Sequence, residues 1–130
     1  MAESANLAKY FENNKGLGVL STASADGAVD SAIYARPHVI DDTTVAFVMR
    51  HRQTHANLQS NPRACYLFVQ QGPGYVGRRL HLTLLREEKD HALVETMRRR
   101  RKTHVEDADP ASVVYFRIDQ IRPLVGDEEA

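Results

Sequence analysis

The chain has 130 residues, with 17 Lys and Arg balancing 17 Asp and Glu, and it is 42% hydrophobic and 26% charged. That is the composition of an ordinary globular domain. A neutral balance disfavours a surface built to coat nucleic acid or an anionic membrane. No run approaches the ~18 apolar residues of a membrane span, and the opening "MAESANLAKYFENN" lacks an apolar signal core.

The one cysteine, Cys65, cannot form an internal disulfide, which points to a reducing, cytoplasmic setting. Residues 1–130 read as a single domain, with the N-terminal helix in 1–15 and an acidic tail, "GDEEA", at 126–130.

Leu7, Tyr10, Phe11 and Asn14 recur at helical spacing behind Ser4, a capping residue. They predict a short amphipathic helix from about Ser4 to Asn14, stopped by Gly16. "LGVLSTAS" follows as a strand, and Ala25-Asp26-Gly27 turns it into a hairpin. The return strand "AVDSAIYARPHVID" carries Pro37, which lacks an amide proton and marks a bulge or an edge partway along it.

Asp41-Asp42 turns again, and "TTVAFVMR" runs back as the third strand. "THANLQSN" predicts one or two helical turns ended by Pro62. "RACYLFVQ" is apolar at nearly every position, as in a strand covered on both faces. "GPGYVG" is a turn and "RRLHLTLLRE" a strand. "EEKDHALVETMRRRRK" is helical in composition, acidic first and basic last, as the helix dipole favours. "ASVVYFRIDQIRPLV" is the last strand. Six strands joined mostly as hairpins, with two modest helices, predict a mainly β fold: a small antiparallel barrel.

The connection from the third strand to "RACYLFVQ" is unusual. "MRHRQTHANLQSNPRA", Met49 to Ala64, is longer than a hairpin needs, contains no Gly, and gathers Arg50, His51, Arg52 and His55. Thr54 is a good helix N-cap, and the amides of residues 55–57 would then be unpaired and directed outward. Arg50 and Arg52 bring charge and paired donors suited to phosphate, and Gln53 and Thr54 add neutral hydrogen bonds. A phosphate beside the apolar end of the third strand describes a nucleotide-like ligand. Against this, loops are often charged because they are wet, and Thr54 caps whether or not anything binds.

Three stretches in this order, "LGVLSTASADGAVDSAIYARPHVIDDTTVAFVM", "RQTHANLQSNPRACYLF" and "GPGYVGRRL", resemble the pyridoxamine 5'-phosphate oxidase-like split-barrel superfamily. The likeness is greatest to its small bacterial FMN-binding proteins and covers roughly Gly16 to Leu85. It rests on the order of a hairpin with a DG turn, a third strand, a polar loop with Thr-x-x-Asn-Leu, an Asn-Pro and a Gly-Pro-Gly loop.

The resemblance implies a six-stranded Greek-key split barrel that dimerises, with FMN in each of two clefts between the subunits. It places the phosphate on Arg50, Arg52, Gln53 and Thr54. The flavin ring would lie along Ser31, Ala32, Ile33 and Tyr34, with Val48 and Met49 beneath. Gly72–Tyr75 and Tyr115 of a partner would complete the pocket. Many relatives carry Lys where this chain has Gln53, which removes a charge from the anchor. True oxidases of pyridoxamine phosphate carry further C-terminal sequence with an Arg and a His, whereas this chain ends in "LVGDEEA", so that activity is not expected. The chemistry implied is that of a flavin oxidoreductase or electron carrier, with no side chain marked as an acid or base. The alternative is a cofactor-free or haem-binding dimer acting as a binding or regulatory module.

Other signals are absorbed by plainer readings. Arg98–Lys102 reads as the solvated end of a helix rather than a nucleic-acid patch, given the neutral net charge. His51 and His55 are four apart, but a helix starting at Thr54 leaves His51 outside it, so no metal site is expected. Cys65 reads as core packing, with no base nearby in sequence.

Overall fold

The computed structural model describes residues 7–98 and 110–126. Helix α1, Leu7–Asn13, buries Leu7 and Phe11 on one face, and the Asn14 side chain donates to the Tyr10 carbonyl as the helix ends. Ser4 and the predicted start of this helix lie outside the described residues. Strand β1, Gly16–Ala23, alternates cleanly, with Gly18, Leu20 and Thr22 inward.

The long second strand predicted from Ala28 to Asp41 is two strands. β2, Val29–Ile33, pairs with β1, and β3, His38–Asp41, pairs with β4, Thr44–Arg50. Pro37 has no N–H to give to a ladder, so pairing fails around it. Arg36 fixes the crossing by donating to the carbonyls of Phe11 and Asn14.

The sheet therefore has seven strands where six were expected. After β4 come helix α2, Gln53–Ser60, then β5, Arg63–Gln70, β6, Gly77–Glu88, helix α3, His91–Arg98, and β7, Ala111–Pro123. All pairings are antiparallel, in the order β2-β1-β5-β6-β7-β4-β3. The sheet is open, but its two edges, β2 and β3, are consecutive in the chain, and residues 34–37 carry the chain from one edge to the other.

Aromatic side chains fill the interior behind that crossing. The rings of Tyr34 and Phe47 are 5.7 Å apart and those of Phe47 and Tyr66 5.1 Å, and the Tyr66 hydroxyl donates to the Tyr34 carbonyl at 3.2 Å. Around them lie Leu20, Met49, Phe68, Leu80, Leu82, Phe116 and Ile121, with Leu7 and Phe11 packed in from α1. Each such side chain contributes about 1.5–3 kcal/mol by leaving water.

A second, smaller cluster lies on the other face of β4 and β7. Ala46, Val113 and Tyr115 pack there with Val94 of α3. Arg86 covers the Tyr115 ring with its guanidinium 3.8 Å from the centroid.

Two further expectations change. The helix predicted from Glu87 begins at His91, because Glu87 and Glu88 pair with Val114 and Val113 and extend β6. Ladder pairing overrides helical composition there, and Asp90 caps the helix by accepting the Ala92 amide. Of the basic run Arg98–Lys102, Arg98 alone lies within the described residues.

Nor is β5 covered on both faces. Ala64, Tyr66 and Phe68 point inward, while Cys65, Leu67 and Val69 face outward and stay partly exposed. Register places Leu17 and Val19 of β1 beside Val69 and Leu67, and Ile33 beside Val19. Leu17, Val29 and Ile33 are 52%, 83% and 68% exposed, so one side of the sheet presents aliphatic side chains to solvent. Among the described residues no helix is long and apolar enough to cross a membrane.

Candidate functional site: the cationic corner after β4

The chain leaves β4 through a tight turn. The Arg52 amide donates to the Arg50 carbonyl at 2.9 Å and the His51 amide to the Pro110 carbonyl at 3.1 Å. Helix α2 then begins one residue before the expected Thr54 cap. The Arg52 carbonyl accepts the first helical bond, from Ala56, and Arg52 occupies the N-cap with no side-chain cap bond. The amides that open the helix are consequently those of Gln53, Thr54 and His55 rather than residues 55–57. Thr54 is 5% exposed and lies inside the first turn.

Helix α2 packs against β1 and β2. Leu58 enters the core, and the buried Asn57 side chain donates to the Thr22 hydroxyl at 3.0 Å. Gln53 donates its side-chain amide to the Asn57 side-chain Oδ1 at 2.8 Å. The helix start that carries Arg50 and Arg52 is thereby tied to the inner face of β1, beside the edge strand β2.

The residues expected along a flavin ring are distributed differently from one another. Ser31 and Ile33 face outward on β2, and Ser31 shares a 3.0 Å hydroxyl contact with Ser21. Tyr34 leans into the aromatic core at the crossing. Val48 packs toward the α3 cluster, whereas Met49 is fully buried in the main core, so strand alternation sends the two side chains to opposite faces. Ala32 lies between Ser31 and Ile33, its side chain on the other face of β2. Tyr115, expected at a partner's pocket, is buried beneath Arg86, and Tyr75 is 82% exposed.

Sequence spacing gave no sign of a polar cluster beside this corner. His51 and His55, expected not to share a helix face, stack with ring centroids 4.1 Å apart, because the turn at residues 50–52 folds His51 back over the first turn of α2. The His55 Nε2 donates to Glu87 Oε2 at 2.9 Å, and His51 Nε2 lies 3.6 Å from the same oxygen. Behind them Ser112 donates to Glu87 Oε2 at 2.6 Å and accepts from His51 Nε2 at 2.7 Å.

Burial alone would raise the Glu87 carboxyl, but the bonds from Ser112 and His55 outweigh it and hold it below the ordinary carboxylate range. Burial, and then the neighbouring His55, keep the His51 imidazole less basic than usual. This is no hydrolase triad: Ser112 is fully buried and spends its proton on Glu87. The pairings that bring Glu87 and Ser112 here are long-range register, which local periodicity does not encode.

On the outer face an open depression of about 450 Å³ is lined by Ser21, Val29, Arg63, Cys65, His81 and Gln120, among others. Burial raises the Cys65 thiol, with Arg79 and Arg122 opposing, so Cys65 is not a poised thiolate.

This open, curled sheet with a helix-start corner defines a class: the fold is that of the pyridoxamine 5'-phosphate oxidase-like split barrels. An FMN-binding protein from Syntrophomonas wolfei superposes with a TM-score of 0.81 at 18% identity, over 98% of this chain and 90% of that one. A pyridoxamine 5'-phosphate oxidase-like protein from Lactobacillus delbrueckii gives 0.66 at 20% identity, over 94% and 92%. The flavin reductase of styrene monooxygenase from Pseudomonas putida gives 0.60 at 11% identity, over 90% and 84%. No protein-family profile and no curated relative matches the sequence.

Proposed function

We propose that the protein binds FMN as a homodimer and works as a flavin oxidoreductase or electron carrier. The observation that carries this reading is the corner itself. A helix start whose N-cap residue makes no side-chain cap bond, with Arg50 and Arg52 beside it, is held against an edge strand whose outward side chains, Val29 and Ile33, are uncovered. That donor set fits a dianionic phosphate, and the aliphatic face fits a second subunit closing over a flat ring. The solved FMN-binding and flavin-reductase neighbours support the same assignment.

Arg50, Arg52 and the amides of Gln53 and Thr54 would hold the phosphate, with Ser31, Ala32, Ile33 and Tyr34 along the ring. Bound flavin supplies the electron transfer, and the protein supplies anchoring and orientation. The Gln53 side chain, turned onto Asn57, favours the second reading, a cofactor-free dimeric binding module.

Titrating the apo-protein with FMN separates the two. The chain has no Trp, so flavin fluorescence reports binding without interference from indole emission. The expected result is saturable binding that weakens by about 1–3 kcal/mol in Arg50→Ala and in Arg52→Ala, each of which removes charged phosphate donors. No binding by the parent protein rejects the flavin reading, and unchanged affinity in both variants rejects the anchor.

A further inference from the structure

We propose that His51, His55 and Glu87 form a binding site for a divalent transition-metal ion of the zinc type. Their ligand atoms all lie within 4.8 Å of one another, and no other group of three His, Cys, Asp or Glu gathers this way among the described residues. Both imidazoles turn Nε2 toward one carboxylate oxygen, at 2.9 and 3.6 Å, so the donors already converge. Two imidazoles and one carboxylate are a borderline donor set that suits Zn²⁺ and its neighbours. The set supplies too few oxygens for Mg²⁺ or Ca²⁺.

The three groups stand on anchored pieces of the fold. His51 is fixed by the turn leaving β4, His55 by the first turn of α2, and Glu87 by the end of β6. Ser112, fully buried behind them, donates to Glu87 and orients the carboxylate. The His51 side chain is 26% exposed, against 14% for His55 and 16% for Glu87. One side of the cluster is therefore open, giving an entry path and room for water as a fourth ligand. On binding, each imidazole transfers its proton from Nε2 to Nδ1 by tautomer exchange and presents a lone pair. The inference does not depend on a phosphate being held at the corner.

Calorimetric titration of the chelator-treated full chain with ZnCl₂ tests it. The expected result is one Zn²⁺ per chain, no binding of Mg²⁺ under the same conditions, and at least tenfold weaker Zn²⁺ binding in His55→Ala and Glu87→Gln. The exposed control His91→Ala retains full affinity. No binding, or several weak equivalents, overturns the proposal, as does affinity that survives the His51→Ala/His55→Ala pair. Should a variant fail to fold, imidazole ¹⁵N spectra of the unaltered protein decide the matter. Zn²⁺ shifts His51 and His55 together if the site is right, and shifts other histidines if it is wrong.

Discussion

Asn57 couples the candidate site to the barrel, and its removal has a calculable cost. The side chain is 2% exposed, donates to the Thr22 hydroxyl at 3.0 Å, and accepts from Gln53 at 2.8 Å. Asn57→Ala deletes both bonds and leaves Thr22, itself 5% exposed, with its hydroxyl less well satisfied. A hydrogen bond is worth roughly 1 kcal/mol net and a stranded buried polar group about 1–3, so the variant should lose about 2–3 kcal/mol. That is a large share of a typical stability of ~5–15 kcal/mol.

Urea denaturation followed by circular dichroism should show the midpoint falling by about 1–2 M, given slopes of ~1–3 kcal/mol per molar. Thr22→Val in the same background should be less than additive by about 1 kcal/mol, since each variant already breaks the shared bond. FMN affinity should fall with it, because the helix start that presents the anchor loses its tie to β1. A variant within ~0.5 kcal/mol of the parent and additive with Thr22→Val would refute the claim that this bond positions α2.

Gly18→Ala should destabilise strongly, by more than ~2 kcal/mol in thermal unfolding, because it overpacks the barrel crossing. A Cβ there would lie 2.0 Å from the Tyr66 hydroxyl and 2.4 Å from the Tyr34 carbonyl oxygen. Ile33→Lys puts a charge on the uncovered aliphatic face; on the proposed dimer, sedimentation should show dissociation to monomer and flavin titration a matching loss, with folding intact. Burial would raise the Asp119 carboxyl, but the Thr83 hydroxyl and the Arg117 guanidinium outweigh it and lower its pKa. Its contribution to stability is thus present above the unfolded carboxylate pKa and fades as acid protonates the folded form. Asp119→Asn should therefore lower stability at neutral pH and leave it little changed in acid, which flattens the acid limb in urea titrations run across pH.

Local sequence was enough for much of the scaffold. Leu7 and Phe11 at helical spacing gave α1, Asp26-Gly27 gave the first hairpin, and the Leu, Val and Thr of "LGVLSTAS" gave β1. Pro37 marked an interruption correctly, but its consequence was not legible. Whether a proline bulges a strand or sends the chain to the opposite edge depends on what the flanking residues find to pair with, here β1 on one side and β4 on the other.

The basic corner was likewise visible as composition, since Arg50, Arg52 and Thr54 are neighbours in the chain. The location of the helix start was set by tertiary ties, the Pro110 carbonyl on His51 and Thr22 on Asn57, which moved it to Arg52 and buried Thr54. The cluster of His51, His55, Glu87 and Ser112 spans up to 61 positions of sequence and exists because β6, β7 and β4 lie side by side in one register. Short-range patterning is written by one residue's preference for a backbone state and a face. Long-range register is written by the sum of ladder bonds and core contacts across the whole sheet, and only the folded chain evaluates that sum.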